Sequence, residues 1–151
     1  MNSAYLSFGT NLGNKEENLK KAIEKIEERV GHVKAQSAFL PTEPWGFESA
    51  NPFLNAAVCV ETDLTPFGLL KATQTIEREM GRKVKSTSGG YADRIIDIDI
   101  LLYYDSDAAV PVFDREKDWG GTVRIESPEL TIPHPLMHER DFVLIPLKEI
   151  L

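Results

Sequence analysis

Two carboxylates one residue apart, Asp97 and Asp99, stand in the stretch Asp93-Arg94-Ile95-Ile96-Asp97-Ile98-Asp99-Ile100-Leu101-Leu102-Tyr103. β-Branched and aromatic residues dominate it, which predicts a strand whose successive side chains alternate faces. Ile96, Ile98, Ile100 and Leu102 then form an apolar row against a core. Asp97 and Asp99 share the other face, about 6.5–7 Å apart along the strand. Neighbouring carboxylates repel, so a fold that fixes both on a rigid strand needs a compensating charge. Their hard oxygens suit Mg²⁺, and a pair of such ions about 4 Å apart is the usual clamp for phosphoryl transfer. For D-x-D alone, the alternative is the solvated face of a half-buried strand.

The charge distribution beside this strand bears on that choice. Five cations (Arg78, Arg82, Lys83, Lys85 and Arg94) face only Glu79 and Asp93 between positions 78 and 94, a local +3. The whole chain carries −7, so the remainder carries −10. Cations next to a carboxylate-bound metal suit a polyphosphate, which needs neutralisation along its length. The plain alternative is a solvated basic loop. The Ser, Gly and Lys content of residues 82–91 also suits a segment that closes over a bound nucleotide.

The elements that must hold these residues follow from periodicity. Residues 4–8 alternate as a first strand, which ends in the turn-rich Gly9-Thr10-Asn11-Leu12-Gly13-Asn14. Asn14 with Glu17 resembles a capping box, and Leu19, Ala22, Ile23, Ile26 and Val30 follow at helical spacing up to Gly31. Residues 33–39 form a second strand, and a loop rich in Pro and aromatics begins at Pro41. Residues 54–61 form a third strand. Thr65-Pro66 opens a second helix with a buried stripe of Leu69, Ala72, Thr73, Ile76 and Met80, and Gln74 and Glu77 at its border. The aspartate strand completes a β-α-β-β-α-β order. This predicts an α+β fold with a ferredoxin-like βαββαβ core, an antiparallel sheet with helices packed on it as an αβα sandwich. An extra hairpin is expected from residues 110–113 and 122–126, and residues 142–151 form an amphipathic end.

At 151 residues, with 42% hydrophobic and 27% charged, the chain is expected to be a single catalytic domain over 1–151. No run approaches a membrane span, and the start Met1-Asn2-Ser3-Ala4-Tyr5 lacks a signal pattern. A single cysteine, Cys59, excludes an intramolecular disulfide and fits a reducing, cytoplasmic setting. The acidic balance disfavours nucleic acid as a partner. No Ser-His-Asp, H-E-x-x-H or C-x-x-C pattern supports a serine hydrolase or a zinc site.

Three further groups carry chemistry. The Gly9 to Asn14 turn could cradle a phosphate at a helix start, although without the G-K-[ST] ending an ordinary βα turn is favoured. His134, between Pro133 and Pro135, sits in a stiff segment that could aim an imidazole or merely connect. Phe53 and Asn55 could stack on and hydrogen-bond a flat heterocycle, or be a core ring and a strand-edge amide.

Taken together, the segments Tyr5 to Asn14, Thr42 to Gly46, Phe53-Leu54-Asn55-Ala56-Ala57, Gln74 to Arg82, Arg94 to Leu101 and Leu130 to Leu147 resemble the 6-hydroxymethyl-7,8-dihydropterin pyrophosphokinase family. Arg-x-x-Asp-x-Asp-x-Leu followed by Ile-Pro-His-Pro and Glu-Arg-Asp-Phe-Val-Leu is specific as a set. The resemblance implies transfer of an intact pyrophosphoryl group from ATP to the pterin hydroxymethyl oxygen, a step of folate biosynthesis, with release of AMP. It implies that Asp97 and Asp99 hold two Mg²⁺ ions and that Arg82 and Arg94 contact the phosphates as catalytic cations. ATP-side contacts would fall to Gln74, Glu77, Ile100, Thr131, His134 and Arg140 as well. The pterin would sit between Phe53 and Phe142, its edge met by Asn55 and by the loop carrying Thr42, Pro44 and Trp45.

The chain departs from the family pattern in three places. Tyr91-Ala92-Asp93 replaces Trp-Gly-Pro before the arginine, which adds a negative charge. Glu129 stands where some members carry a base. Residues 105–127 are longer than the expected connection. Two rival readings are a non-catalytic ferredoxin-like nucleotide-binding or regulatory module and a Mg²⁺-dependent nuclease, the latter disfavoured by the acidic surface. The working expectation is a monomer acting on ATP and the pterin, with no nucleic-acid or membrane partner.

Overall fold

The computed structural model describes residues 1–42, 52–81, 95–105, 119 and 121–151. The basic segment 82–94, including Arg82, Arg94 and the candidate closing loop, lies outside the described residues. So do Pro44, Trp45 and positions 110–113 of the expected hairpin.

The chain runs β1 (Asn2–Thr10), α1 (Lys15–Arg29), β2 (Gly31–Gln36), β3 (Leu40–Thr42), β4 (Phe53–Thr62), α2 (Pro66–Glu79), β5 (Asp97–Tyr104), β6 (Ile125–Glu126), β7 (Thr131–Ile132) and α3 (Asp141–Ile150). A single 3₁₀ turn, Met137–Glu139, precedes α3. Four strands lie in the order β2-β4-β1-β5, and every pairing is antiparallel. This is the order expected of a βαββαβ ferredoxin-like sheet.

Local chemistry sets the helices. Asn14 Oδ1 accepts from Glu17 N at 3.1 Å to cap α1, and Thr65 Oγ1 accepts from Gly68 N at 3.1 Å to cap α2, with Pro66 in its first turn. Both helices cover one face of the sheet. Their Leu19, Ala22, Ile26, Leu69 and Ile76 meet Ala4, Leu6, Phe8, Val58, Ile98 and Ile100 in the larger core. Glu79 of α2 joins the two helices through Lys25 and Arg29. Those two cations hold the Glu79 carboxyl below its ordinary range, the hydrogen bond from Arg29 contributing most. Gly31 starts β2 where a side chain could not fit, since a Cβ would lie 1.8 Å from the Glu61 carbonyl oxygen.

The opposite face carries a smaller core, in which Val143, Leu144 and Leu147 of α3 cover Tyr5, Cys59, Leu101, Leu102 and Tyr104. The result is the αβα sandwich expected from sequence. Burial raises the Tyr5 hydroxyl far above its usual range and also pushes the Cys59 thiol up. Both are core groups.

Three expectations change. Leu40–Thr42 is a strand where the sequence suggested a loop: β3 pairs with the end of β4. Pro41 is tolerated there because β3 is an edge, where a missing N–H breaks no inner ladder. Leu102 does not continue the row of Ile96, Ile98 and Ile100 but joins the second core with Leu101. An irregularity in the β1–β5 pairing at Tyr5/Leu6 shifts the register there, so strict alternation fails beyond it. The hairpin partner of residues 125–126 is β7, with Ile125 opposite Ile132 and Glu126 opposite Thr131. Ser127-Pro128-Glu129-Leu130 makes the turn, with Ser127 N donating to Leu130 O at 3.0 Å.

Candidate active site

The α3 helix does not cover its whole face of the sheet. Along β4 the residues of that face are Phe53, Asn55, Ala57 and Cys59; along β1 they are Tyr5, Ser7 and Gly9; along β5 they are Asp97 and Asp99. α3 packs on the end that holds Cys59 and Tyr5. The other end carries the polar residues, and the strand registers align them. Gly9 lies opposite Asp97 on one side and opposite Asn55 on the other. Ser7 lies opposite Asp99 and Ala57 in the same way. Two rows therefore cross the sheet, Asp97–Gly9–Asn55 and Asp99–Ser7–Ala57, with small residues in the middle. Adjacent strands lie about 4.8 Å apart, so the Asp97 and Asn55 backbones are separated by about 9.6 Å. That gap, floored by Gly9, has the breadth of a flat bicyclic ring.

Asn55 is oriented by the strand that the sequence did not reveal. Its Nδ2 donates to Leu40 O at 3.2 Å and to Thr42 Oγ1 at 2.8 Å. Both amide hydrogens are thus committed to β3, and the Oδ1 faces Gly9, whose added Cβ would lie 3.3 Å from it. Asn55 is 3% exposed and Phe53 7%, so the pair forms a nearly closed wall. Thr42 positions the amide. Phe142 sits in the first turn of α3, partly buried against the second core, with the Arg140 guanidinium 6.0 Å from its ring centroid. Arg140 is itself buried, and its carbonyl accepts from Val143 N at 2.9 Å and Leu144 N at 3.0 Å to start α3.

On the acidic side, β5 is the sheet edge. Its outer edge is engaged at Ile98, where N donates to Glu77 Oε2 at 2.8 Å, and at Leu101, where O accepts from His134 N at 3.1 Å. Glu77 is 3% exposed. Its carboxylate therefore fixes the residue between Asp97 and Asp99, a positioning contact that the expectation of an ATP ligand did not contain. Gln74, one turn earlier, is half-buried.

The His134 backbone anchors the Ile132-Pro133-His134-Pro135 strap to β5. Its Nδ1 accepts from Leu136 N at 3.2 Å, which leaves the proton on Nε2 in the neutral ring, and Nε2 lies 3.9 Å from Asp99 Oδ1. Between β5, the β6–β7 turn and the strap is a cavity of about 170 Å³. Leu70, Ile98, Ile100 and Leu130 give it apolar walls, and Asp99, Ser127, Glu129, Thr131 and His134 give it polar ones, so Glu129 adds a second carboxylate here.

The Gly9 to Asn14 turn is closed internally, with Asn18 Nδ2 donating to Leu12 O at 2.8 Å and Thr10 Oγ1 at 3.2 Å. That favours an ordinary βα connection. Sequence reasoning missed Ser7, and it singled out Gly9 and Thr42 for other tasks, Gly9 for a phosphate turn and Thr42 for the pterin edge, without the floor and the amide-orienting contact that the strand pairing gives them. The Gly9 signal was available, since a glycine at the end of a strand invites close approach.

Among the described residues, no group of three or more His, Cys, Asp or Glu could hold a metal by itself. Asp97 and Asp99 still fit Mg²⁺, which characteristically takes one or two carboxylates and completes its shell with water and substrate phosphate oxygens.

An open antiparallel sheet of ferredoxin-like order, with an acid pair on its edge strand and polar groups on a half-covered face, defines the class as an α+β domain with its candidate site on the sheet. Solved structures of that architecture are similar to it. A crystal structure of "HPPK-DHPS in complex with substrates" superposes with a TM-score of 0.63 at 17% identity, over 95% of this chain and 39% of that one. Wild-type Plasmodium falciparum HPPK-DHPS gives 0.68 at 18%, over 99% and 41%. This chain thus spans about two fifths of those longer chains, and the likeness concerns the fold. The family model for 7,8-dihydro-6-hydroxymethylpterin-pyrophosphokinase (HPPK) matches residues 5–151. The 2-amino-4-hydroxy-6-hydroxymethyldihydropteridine pyrophosphokinase of Porphyromonas gingivalis is 47% identical over 97% of this chain and 88% of its own. That of Bacillus subtilis is 39% identical over 99% and 78%. The chain belongs to the 7,8-dihydro-6-hydroxymethylpterin-pyrophosphokinase family. Its activity class is that of a pterin pyrophosphokinase, which sets aside the non-catalytic module and the nuclease.

Proposed function

We propose that the protein transfers the β,γ-pyrophosphoryl group of ATP to the hydroxymethyl oxygen of 6-hydroxymethyl-7,8-dihydropterin, a step of folate biosynthesis. The observation that carries this reading is the row Asp97–Gly9–Asn55, in which a carboxylate and an amide stand on either side of a glycine floor and so support metal–phosphate binding at one and heterocycle binding at the other. The pterin lies over Gly9 with Phe53 and Phe142 as its aromatic walls. Asn55 Oδ1 accepts from the ring's amino or N–H edge, Thr42 lies on that side, and Pro44 and Trp45 are assigned to the pterin by the family pattern.

The adenine takes the apolar part of the 170 Å³ cavity at Ile100, beside Thr131, with Gln74 assigned to it by the family pattern alone, and the phosphates extend past His134 toward Asp99 and Asp97. Mg²⁺ held by the two aspartates, two ions in this proposal, supplies charge neutralisation and Lewis-acid polarisation of the phosphates when bound. Arg82 and Arg94 add cations at the developing charge, and Arg140 adds one from the position just before α3. The substrate oxygen forms its bond to the β-phosphorus, and the bond from that phosphorus to the α–β bridging oxygen breaks. The electron pair leaves with AMP, and the hydroxyl proton passes to solvent. Alignment and electrostatic stabilisation account for catalysis, and no covalent nucleophile is required.

The proposal includes one catalytic domain across residues 1–151, monomeric and cytoplasmic. Two cores sharing one sheet support the single domain, and the buried free Cys59 fits a reducing compartment. Among the described residues, no helix is long and apolar enough to cross a membrane.

The test is AMP formation from ATP, Mg²⁺ and the reduced pterin, with Asp97→Asn and Asp99→Asn alongside. Both substitutions should lower kcat by at least about a thousandfold while melting near wild type, because electrostatic groups at a phosphoryl transfer contribute on that scale. Wild-type turnover in either variant at limiting Mg²⁺ would remove the assignment.

A further inference from the structure

The extended segment before β6 builds a second cavity, of about 580 Å³, on the other side of the His134 strap. Trp119, Arg124 and Glu126 line it from that segment, and Thr131, His134 and Pro135 line both this cavity and the smaller one. The new wall is rigid. Trp119 is fully buried in the second core, and its carbonyl accepts from Tyr104 Oη. Val123 N donates to Tyr103 O at 2.7 Å, and Thr122 Oγ1 both accepts from Tyr103 N and donates to Tyr103 O. Val123 and Ile125 then turn toward the larger core, which leaves Arg124 and Glu126 on the cavity side. Glu126 is the direct cross-strand partner of Thr131.

A nucleotide with its base at Ile100 and Leu130 and its phosphates at His134 and Asp99 carries its ribose between them, at Thr131. Thr131 lines both cavities and is the cross-strand partner of Glu126, so a ribose at Thr131 has the Glu126 carboxylate on the neighbouring strand. A carboxylate accepts only, and two vicinal hydroxyls donate, so the two are matched. Arg124, which lines the same cavity, offsets the repulsion between Glu126 and a polyphosphate.

We infer that Glu126, working beside Thr131, binds the ribose hydroxyls and makes the enzyme selective for ribonucleotides. This rests on the ATP reading above. It also gives a task to the described end of the 105–127 segment, residues 121–127, which carries Glu126.

The experiment compares kcat/KM for ATP, 2′-deoxy-ATP and 3′-deoxy-ATP in pterin-dependent AMP formation by wild type, Glu126→Ala and Glu126→Gln. Wild type should prefer ATP by about tenfold or more, the scale of a charge-assisted hydrogen bond. In Glu126→Ala that preference should collapse to about one, through a higher KM for ATP and no further loss for the deoxynucleotides. Glu126→Gln, which still accepts, should fall between. The KM for the pterin should not move. A ratio unchanged in Glu126→Ala overturns the inference, including the case in which loss of one negative charge tightens all three nucleotides alike. Equal use of all three by wild type overturns it too. If wild type forms no AMP from any of them, the functional reading itself fails and this inference falls with it.

Discussion

Asp97 and Asn55 register with the same residue, Gly9, from opposite sides of β1. The carboxylate expected to hold metal and the amide expected to hold pterin are thus tied to one position of the central strand. Neither depends on a loop for its spacing, and the distance between them is set by the sheet itself. A site built on paired strands keeps its dimensions better than one built on connections.

Gly9 should therefore tolerate little. A Cβ there would meet Asn55 Oδ1 at 3.3 Å and Phe53 Cδ1 at 3.7 Å, tight but accommodated by small shifts. Gly9→Ala is expected to raise the pterin dissociation constant only severalfold. Gly9→Val fills the floor and should raise it by about a hundredfold, the equivalent of roughly 2.7 kcal/mol. Binding of a Mg²⁺–ATP analogue should change little. Calorimetry on each ligand separately decides it, and equal weakening of both would place the pterin elsewhere.

Asn55 and Phe142 should carry heterocycle selectivity. Because the Asn55 amide nitrogen is committed to Leu40 and Thr42, its contribution to the ligand is one acceptor. Asn55→Leu should cost about 1–3 kcal/mol in pterin binding through an unpaired polar edge. Phe142→Ala should cost on the order of 1 kcal/mol beyond burial through loss of stacking. Thr42→Val, which removes the oxygen that orients the amide, should weaken the pterin by a smaller amount. An Asn55→Leu protein that binds pterin normally but loses the nucleotide would show the pocket to be on the wrong side.

Much of this arrangement was legible in the sequence. Period-2 and period-3.6 patterns located the core strands and both early helices, and alternation put Asp97 and Asp99 on a face away from Ile98. What stayed hidden has physical causes. Pro41 disguised an edge strand, because proline is a loop signal everywhere except where an N–H is not needed. Leu102 was misplaced because an irregular pairing between neighbouring strands leaves no trace in either sequence. Glu77 looked like a border residue, since a buried carboxylate is unusual until the backbone N–H it serves is known. Cross-strand register, which brings Gly9 between Asp97 and Asn55, is a property of strand pairs and cannot be read from one strand.

The Glu77 contact predicts a separable effect on fold and chemistry. Glu77→Gln keeps an acceptor for Ile98 N–H and should melt within a few degrees of wild type. Glu77→Leu leaves that buried donor without its carboxylate and should cost about 1–3 kcal/mol of stability. Because Ile98 lies between Asp97 and Asp99, Glu77→Leu should also lower kcat more than it raises the pterin KM. Denaturant unfolding beside steady-state kinetics separates the two effects, and a Glu77→Leu protein as stable as wild type would show that the contact holds nothing in place.

Trp119 packs into the second core just ahead of the residues that carry Arg124 and Glu126. Its backbone is left-handed, with φ of 57°, a conformation that costs a non-glycine residue on the order of 1 kcal/mol. Full burial against the second core and the bond from Tyr104 Oη to its carbonyl offset that cost. Trp119→Ala keeps the backbone strain and loses the packing, so it should destabilise by about 3–5 kcal/mol. Trp119→Gly relieves the strain but loses the same packing, and it should be the milder of the two by roughly 1 kcal/mol, the reverse of the usual order of these residues. Chemical unfolding of both variants measures that inversion. In both, the wall bearing Arg124 and Glu126 loses its anchor, so nucleotide KM should rise well before pterin affinity falls. A Trp119→Ala protein with wild-type stability would mean that the side chain does not hold the segment, and one with weakened pterin binding alone would mean that the segment serves the other side of the site.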